Sequence, residues 1–280
     1  DSTESTVIQT AKQKITSFSL SIEELAMALA MINKAEMGNT LLRSIYDNLT
    51  KEQVDSRMTA ASHSLLAHGL CGFTNELKPR LDSLLEQALL TLVIYDRTFQ
   101  LSIVKDNRTL NANIHVKNGK AFTSHSTQAG VVHLLEHGKE SLLGSYLLDI
   151  LDDYGDDVDI KIPSGEKISM RTLSTAAKIS EDKGKPIDVL KLAVDDHLLT
   201  EALAKDMQKQ VSRVTLIRIN AKSGLNDEEL LNSKKQALLL LKGETRTWYF
   251  EFPSSDDEAL ATVELVNQKD FHEKLLKFIQ

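Results

Sequence analysis

Leu110-Asn111-Ala112-Asn113-Ile114-His115-Val116-Lys117-Asn118-Gly119-Lys120-Ala121-Phe122-Thr123-Ser124-His125 is the stretch that decides the fold. Ala112, Ile114 and Val116 stand at every second position, the period of a half-buried strand. Asn118-Gly119 then supplies two residues that accept positive φ. The chain is expected to reverse there through a type I′ turn and return along Ala121–His125. Such a reversal makes the sheet antiparallel. Upstream, Leu92–Val104 alternates around Ile94, Phe99, Leu101 and Ile103. Downstream, Val131–Glu136 continues as a strand or short helix. A strand block therefore spans Thr91–Glu136.

On the N-terminal side the period is helical. Ile15–Leu20 is β-branched and alternating, a candidate short strand. Ser21 with Glu24 forms a capping box, since the hydroxyl meets a free helix N–H and the carboxylate reaches back to the cap. Ile22, Leu25, Leu29 and Ile32 follow on one face, and Leu41, Leu42, Ile45 and Leu49 mark a second helix. Thr50 with Gln53 caps a third, which Gly69 is expected to end. Pro79 is read as a first-turn proline of a fourth. The helical block is thus Ser21–Leu90, and a closing helix is expected over Lys139–Asp152. The same order then recurs: helices over Ser169–Gln208, strands over Val211–Val266, and a closing helix over Gln268–Ile279. The pattern predicts an α+β fold of two similar halves, each helices, antiparallel sheet and closing helix, related by a pseudo-twofold. The expected divisions are a disordered 1–14, an N-terminal half 15–155 and a C-terminal half 156–280. Six aspartates between Asp149 and Asp159 mark the boundary and read as a solvated linker rather than a calcium loop, because their order is not that of an EF-hand.

The 280 residues carry a net charge of −7, with 41% hydrophobic and 26% charged residues. That balance is ordinary for a globular protein and argues against binding a phosphate backbone. The lone Cys71 cannot form an internal disulfide, which fits a cytoplasmic setting. No apolar run reaches the length of a membrane helix. Neither a G-x-G-x-x-G turn, a phosphate loop nor a G-x-S-x-G elbow occurs, so no cofactor is expected.

Several phrases resemble the EspG family, the specificity chaperones of type VII (ESX) secretion. Ser21-Ile22-Glu23-Glu24-Leu25-Ala26-Met27-Ala28-Leu29 is similar to that family's first helix. Ser64-Leu65-Leu66-Ala67-His68-Gly69-Leu70, followed by Leu77-Lys78-Pro79 and Leu84-Leu85, resembles a later passage. Trp248-Tyr249-Phe250 and Asp270-Phe271-His272-Glu273-Lys274-Leu275-Leu276 are similar to its final strands and helix. The resemblance spans nearly the whole chain, though lysine and isoleucine stand where the family favours alanine and arginine. It implies a quasi-twofold α+β fold and a cytosolic, non-enzymatic role in holding a secreted helical protein pair.

Candidate functional residues divide accordingly. Leu225, Leu230 and Leu231 lie in a polar stretch with no core of their own, which makes them candidate partner contacts; alternatively they fold back as a short helix. His133-Leu134-Leu135-Glu136-His137 matches H-x-x-E-H, in which a helix would aim His133 and His137 at one zinc ion with Glu136 as base. Against this metallopeptidase reading, Gly138 follows at once, and near Ser212-Arg213-Val214, where a third ligand is due, there is no glutamate; Glu201 is misplaced. A third reading takes the helices up to Gly69 and the following Leu70-Cys71-Gly72-Phe73 as a winged-helix DNA binder. The third helix, however, carries only Lys51 and Arg57 against Glu52 and Asp55. Cys71 reads as an inert thiol. Trp248, Tyr249, Phe250 and Phe252 read as a core strand.

Overall fold

Strand β1 (Thr16–Ser21) runs directly into helix α1 (Ile22–Met31), and Ser21 is the joint. Its hydroxyl accepts from the Glu24 N–H at 3.1 Å, while its own N–H donates to the Glu24 carboxylate at 2.8 Å. The expected capping box is therefore formed. The computed structural model describes residues 15–151, 154 and 165–280. The segment 1–14 and most of the aspartate-rich boundary lie outside the described residues.

Helices α2 (Ala35–Ile45) and α3 (Lys51–Ala67) follow, the latter capped reciprocally by Thr50 and Gln53. Gly69 adopts φ +69°. The Leu70 N–H reaches the Leu65 carbonyl at 2.8 Å and the Gly69 N–H reaches Leu66 at 3.1 Å. These two bonds are a Schellman stop at the expected residue. Next comes a hairpin of β2 (Cys71–Phe73) and β3 (Pro79–Leu81). Pro79 sits in that hairpin and not in a first helical turn. Helix α4 (Ser83–Val93) begins later, because Asp82 accepts from the Leu84 and Leu85 N–H groups at 3.0 Å each.

The strand block forms β4 (Arg97–Lys105), β5 (Arg108–Lys117), β6 (Ala121–Gln128) and β7 (Val132–Lys139), but it starts later than expected, because α4 continues through Thr91, Leu92 and Val93. The reversal at Asn118-Gly119 is real, but three residues connect the strands and only Gly119 takes positive φ. The two-residue turn with positive φ at both positions falls instead at Asp106-Asn107, between Lys105 and Arg108. The closing element of this half is shorter than expected, because β7 extends to Lys139. A 3-10 turn (Glu140–Leu142) then leads into α5 (Leu143–Ile150).

The second half opens with β8 (Lys167–Ser169), α6 (Met170–Glu181), α7 (Ile187–Leu190) and α8 (His197–Gln208). Then come β9 (Ser212–Ile219), α9 (Asp227–Leu231), β10 (Lys235–Lys242), β11 (Thr247–Phe252), β12 (Leu260–Thr262), β13 (Glu264–Leu265) and α10 (Gln268–Ile279). The fold is mixed helix and antiparallel sheet, with the closing helix at the bounds read from the sequence.

One sheet, not one per half, carries both sets of strands. Its order is β1-β7-β6-β5-β4-β9-β10-β11-β13, and the antiparallel β4–β9 pair from Thr98↔Ile219 to Lys105↔Ser212 joins them. On one face, Phe99, Leu101, Ile114, Val214, Leu216 and Leu238 pack beneath α5 and α10 in a single core drawn from both halves. On the other face the cover is divided. Helices α1, α3 and α4 close over Phe18, Leu20 and Leu135, whereas α6, α7 and α8 close over Trp248, Phe250 and Phe252. The aromatic strand is thus core, with Tyr249 turned to the opposite face from its aromatic neighbours.

Candidate interaction surface

Among the described residues, the divided cover leaves the middle of the sheet open on the helix side. Antiparallel register places Asn113, Gln100, Ile217 and Ala237 in one row across β5, β4, β9 and β10. The next row contains Asn111, Ser102, Thr215 and Leu239. Gln100, Asn111 and Asn113 are exposed, and Ser102, Thr215, Ile217 and Leu239 are half-buried. A central strand position of a nine-stranded sheet is ordinarily covered, so an uncovered polar-to-apolar strip is the distinctive feature here.

At the α6 side the strip deepens into a groove of about 490 Å³. Its floor is Ile217, Leu239 and Phe252, and its wall is Met170, Leu173 and Ala177 of α6. Lys178, Glu181 and Arg213 rim it, the last two ion-paired at 3.1 Å. An apolar bed with a polar rim has the make-up of a protein-contact surface. Sequence reading missed it because Ile217 and Leu239 alternate like any core residue. Only the separation of the two helical groups leaves them uncovered.

The candidate leucines lie on the β9–β10 connection, which begins three residues beyond Ile217. The short helix of the alternative reading forms here. Asn226 and Glu229 form the capping box that starts it as α9. Yet Leu225, Leu230 and Leu231 stay 40%, 41% and 73% exposed. The connection is anchored where the Ser223 N–H donates to the Tyr95 carbonyl at 3.0 Å.

The H-x-x-E-H residues are in strand β7, which corrects the helical premise of the zinc reading. Alternation sends His133 and His137 to one face and Glu136 to the other, and four strand residues separate the histidines by roughly 13 Å. Glu136 instead accepts from the Tyr146 hydroxyl on the α5 side at 2.5 Å. Among the described residues no cluster of three or more metal-ligating side chains occurs. His133 and His137 belong to a different set. With His115 and His125 they line the helix face of β5, β6 and β7, beneath α4. His125 Nε2 is 2.8 Å from His133 Nδ1, and His137 Nδ1 is 3.0 Å from the Thr123 hydroxyl. His115 Nδ1 is 3.2 Å from the Thr98 hydroxyl. Burial, with the neighbouring His125 adding to it, pushes His115 down to about 4. Burial and the adjacent His133 push His125 down to about 4, and burial lowers His133 and His137 as well.

Ser64, His68 and Glu24 bring the residue types of a hydrolase triad together in the wrong order. The Ser64 hydroxyl donates to Glu24 at 2.7 Å, and both groups crowd the same His68 nitrogen at 3.5 and 3.6 Å. A relay needs the imidazole between nucleophile and acid. Burial raises the Glu24 carboxyl, but bonds from Ser64 and Ser21 outweigh it and hold the group below its usual range. Burial raises the Cys71 thiol, the direction of an unreactive cysteine. On α3, Arg57 is held by Glu23 at 2.9 Å and lies over the Tyr46 ring, so it is committed within the fold.

This architecture is that of the EspG-like α+β fold. The chain is similar to the Mycobacterium tuberculosis type VII secretion system chaperone EspG5, whose structure was determined in complex with a PE25–PPE41 dimer. The two superpose with a TM-score of 0.60 at 10% sequence identity, over 93% of this chain and 95% of that one. No protein-family description and no curated protein sequence matches the chain.

Proposed function

We propose that the protein is a binding chaperone or adaptor that holds a helical protein partner against the open middle of its sheet. The observation that carries this reading is the uncovered strip and its apolar groove at Ile217, Leu239 and Phe252, in a fold shared over nearly its whole length with a chaperone solved with its protein dimer. A helix laid in such a groove buries an apolar face every three to four residues and leaves its polar face to the rim. In this reading Leu225, Leu230 and Leu231 contact the partner from the edge of the same surface. The work is done by shielding apolar surface, without a catalytic step, in the cytoplasm, before transfer to a type VII secretion machine. The two halves, 15–155 and 156–280, would then be a pseudo-twofold pair in which β4 and β9 flank the axis, with only the C-terminal half's groove used.

The test is co-expression with pairs of small helical secreted proteins from the chain's own source, followed by size-exclusion chromatography with light scattering. A stoichiometric complex is expected. Leu239→Asp in the groove and Leu231→Glu on α9 should each weaken it at least tenfold, while the melting temperature of the Leu231 variant stays unchanged. Failure of every pair to bind, or a complex indifferent to both substitutions, would overturn the reading.

A further inference from the structure

The histidine layer beneath α4 has no counterpart in the other half. There the helix-facing side chains of β10 and β11 are Ala237, Leu241, Trp248, Phe250 and Phe252. Under α4 they are His115, Thr123, His125, His133 and His137, with Leu135 between the last two. His133 and His137 are buried and His115 and His125 half-buried, and imidazoles so placed are costly unless each shielded nitrogen is matched to a neighbour.

Only one protonation pattern suits the central pair. His133 Nε2 is buried with no hydrogen-bond partner. If His125 donated across the 2.8 Å contact, His133 would carry its proton on that isolated Nε2, leaving a buried donor unmet. The lower-cost arrangement has His133 Nδ1–H donating to His125 Nε2, with a bare lone pair on His133 Nε2. A further proton then has no good place. On His125 Nε2 it faces the N–H of His133, and on His133 Nε2 it has no acceptor. The Thr123 hydroxyl is spent on the Ala88 carbonyl of α4 at 3.0 Å, so His137 donates to the Thr123 oxygen. This chain of bonds ties the histidine layer to α4 itself.

Among the described residues no carboxylate bonds to the layer; on α1, which also packs against β7, Glu23 is held by Arg57 and Tyr46, and Glu24 by Ser21 and Ser64. On α4 the charged residue is Glu86, and on the same strand faces are Lys117, held by Asp96 at 3.2 Å, and the terminal Lys139. From β1 come Thr16, Phe18 and Leu20, from β4 Thr98 and Gln100, and from β9 Ile219. Tyr95 stacks on His115 with ring centroids 4.5 Å apart. None of these is hydrogen-bonded to an imidazole as an anion.

We infer that the His125–His133 pair, with His115 and His137 beside it, is an acid-sensitive latch: proton uptake here loosens α4 and its helical layer from the sheet while the C-terminal core stays closed. The sign follows from linkage. The folded-state values lie below 6.5, so the stability given by the neutral rings is complete above about pH 6.5 and is lost as pH falls towards about 4.

Hydrogen exchange of the intact chain between pH 7.5 and 4.5, corrected for intrinsic rates, tests this. Protection in α4, β6 and β7 is expected to collapse at a higher pH than protection in α8, β10 and β11. His133→Leu should move that first collapse to lower pH and remove roughly one proton from its steepness. If His133→Leu does not fold, His125→Gln, which keeps a neutral amide at the contact, serves with the same expectation. Simultaneous loss of protection in both halves, or an unchanged first collapse in whichever variant folds, would overturn the inference.

Discussion

At the scale of single residues, Asp206 shows how a buried charge is made tolerable. Its carboxylate accepts from Arg246 Nε at 2.7 Å and Nη2 at 3.1 Å, and from the Trp248 indole N–H at 2.7 Å. The three bonds fasten α8 to β11 and to the turn before it through a side chain only 5% exposed. Removing one member of such a set is worse than removing all of it, since the partners remain buried and unmatched. Asp206→Ala is therefore expected to cost about 3–5 kcal/mol in a denaturant titration. Asp206→Asn should cost less, because it can still accept from the indole. Equal losses for the two variants would mean that the guanidinium, not the donor set, governs the site. Nothing in the sequence marked this residue. It is one of two acids on α8, and its three donors come from Trp248 of β11 and from Arg246 in the turn before it, both distant in the chain.

At the scale of elements, local chemistry was legible and local covering was not. Capping boxes at Ser21 and Thr50 and the stop at Gly69 depend on residues at most a few positions apart, and all three form as read. Gly69 gives a clean measure of such a signal. Its φ is +69° and a Cβ would meet nothing within 4 Å, so Gly69→Ala should cost only the left-handed strain, about 1 kcal/mol, with Gly69→Asn costing less. Thermal melts of the two variants check it, and a much larger loss would reveal a packing role that the open space denies. Pro79 failed as a helix start because Asp82, three residues on, is the stronger cap and the proline fits an edge strand as well as a first turn. The H-x-x-E-H match failed because five residues cannot tell a strand from a helix. Alternation through β6 and β7 decides it, and the same alternation brings four histidines into one layer. The candidate leucines kept their exposure even though their short helix formed. The groove beside α6 stayed hidden because a floor residue and a core residue share one pattern, and only the gap between two helical groups separates them.

At the scale of the whole molecule, the repeated order of elements suggested two bodies, yet the hydrogen bonds between β4 and β9 and the core beneath α5 and α10 belong to both halves. Phe99 and Leu101 from one half share that core with Val214, Leu216 and Phe271 from the other. Arg97 from β4 and Arg218 from β9 close the end of α10, with Arg218 donating to the Phe278 and Gln280 carbonyls at 3.1 and 3.2 Å. These cations sit where a helix C-terminus favours positive charge. A half on its own would expose the whole β4 edge from Thr98 to Lys105 and an apolar sheet face, the combination that drives strand-to-strand association. Residues 15–151 expressed alone are therefore expected to self-associate or remain unfolded, whereas co-expression with 165–280 should recover a one-to-one complex. Near neutral pH, where the histidine layer is uncharged, the intact chain should melt in one transition whose calorimetric and van't Hoff enthalpies agree. A monomeric 15–151 that melts cooperatively by itself would show that the central strand pair is a contact between finished domains. The open strip above β4 and β9 would then lie at a movable joint and not on the fixed bed on which partner capture depends.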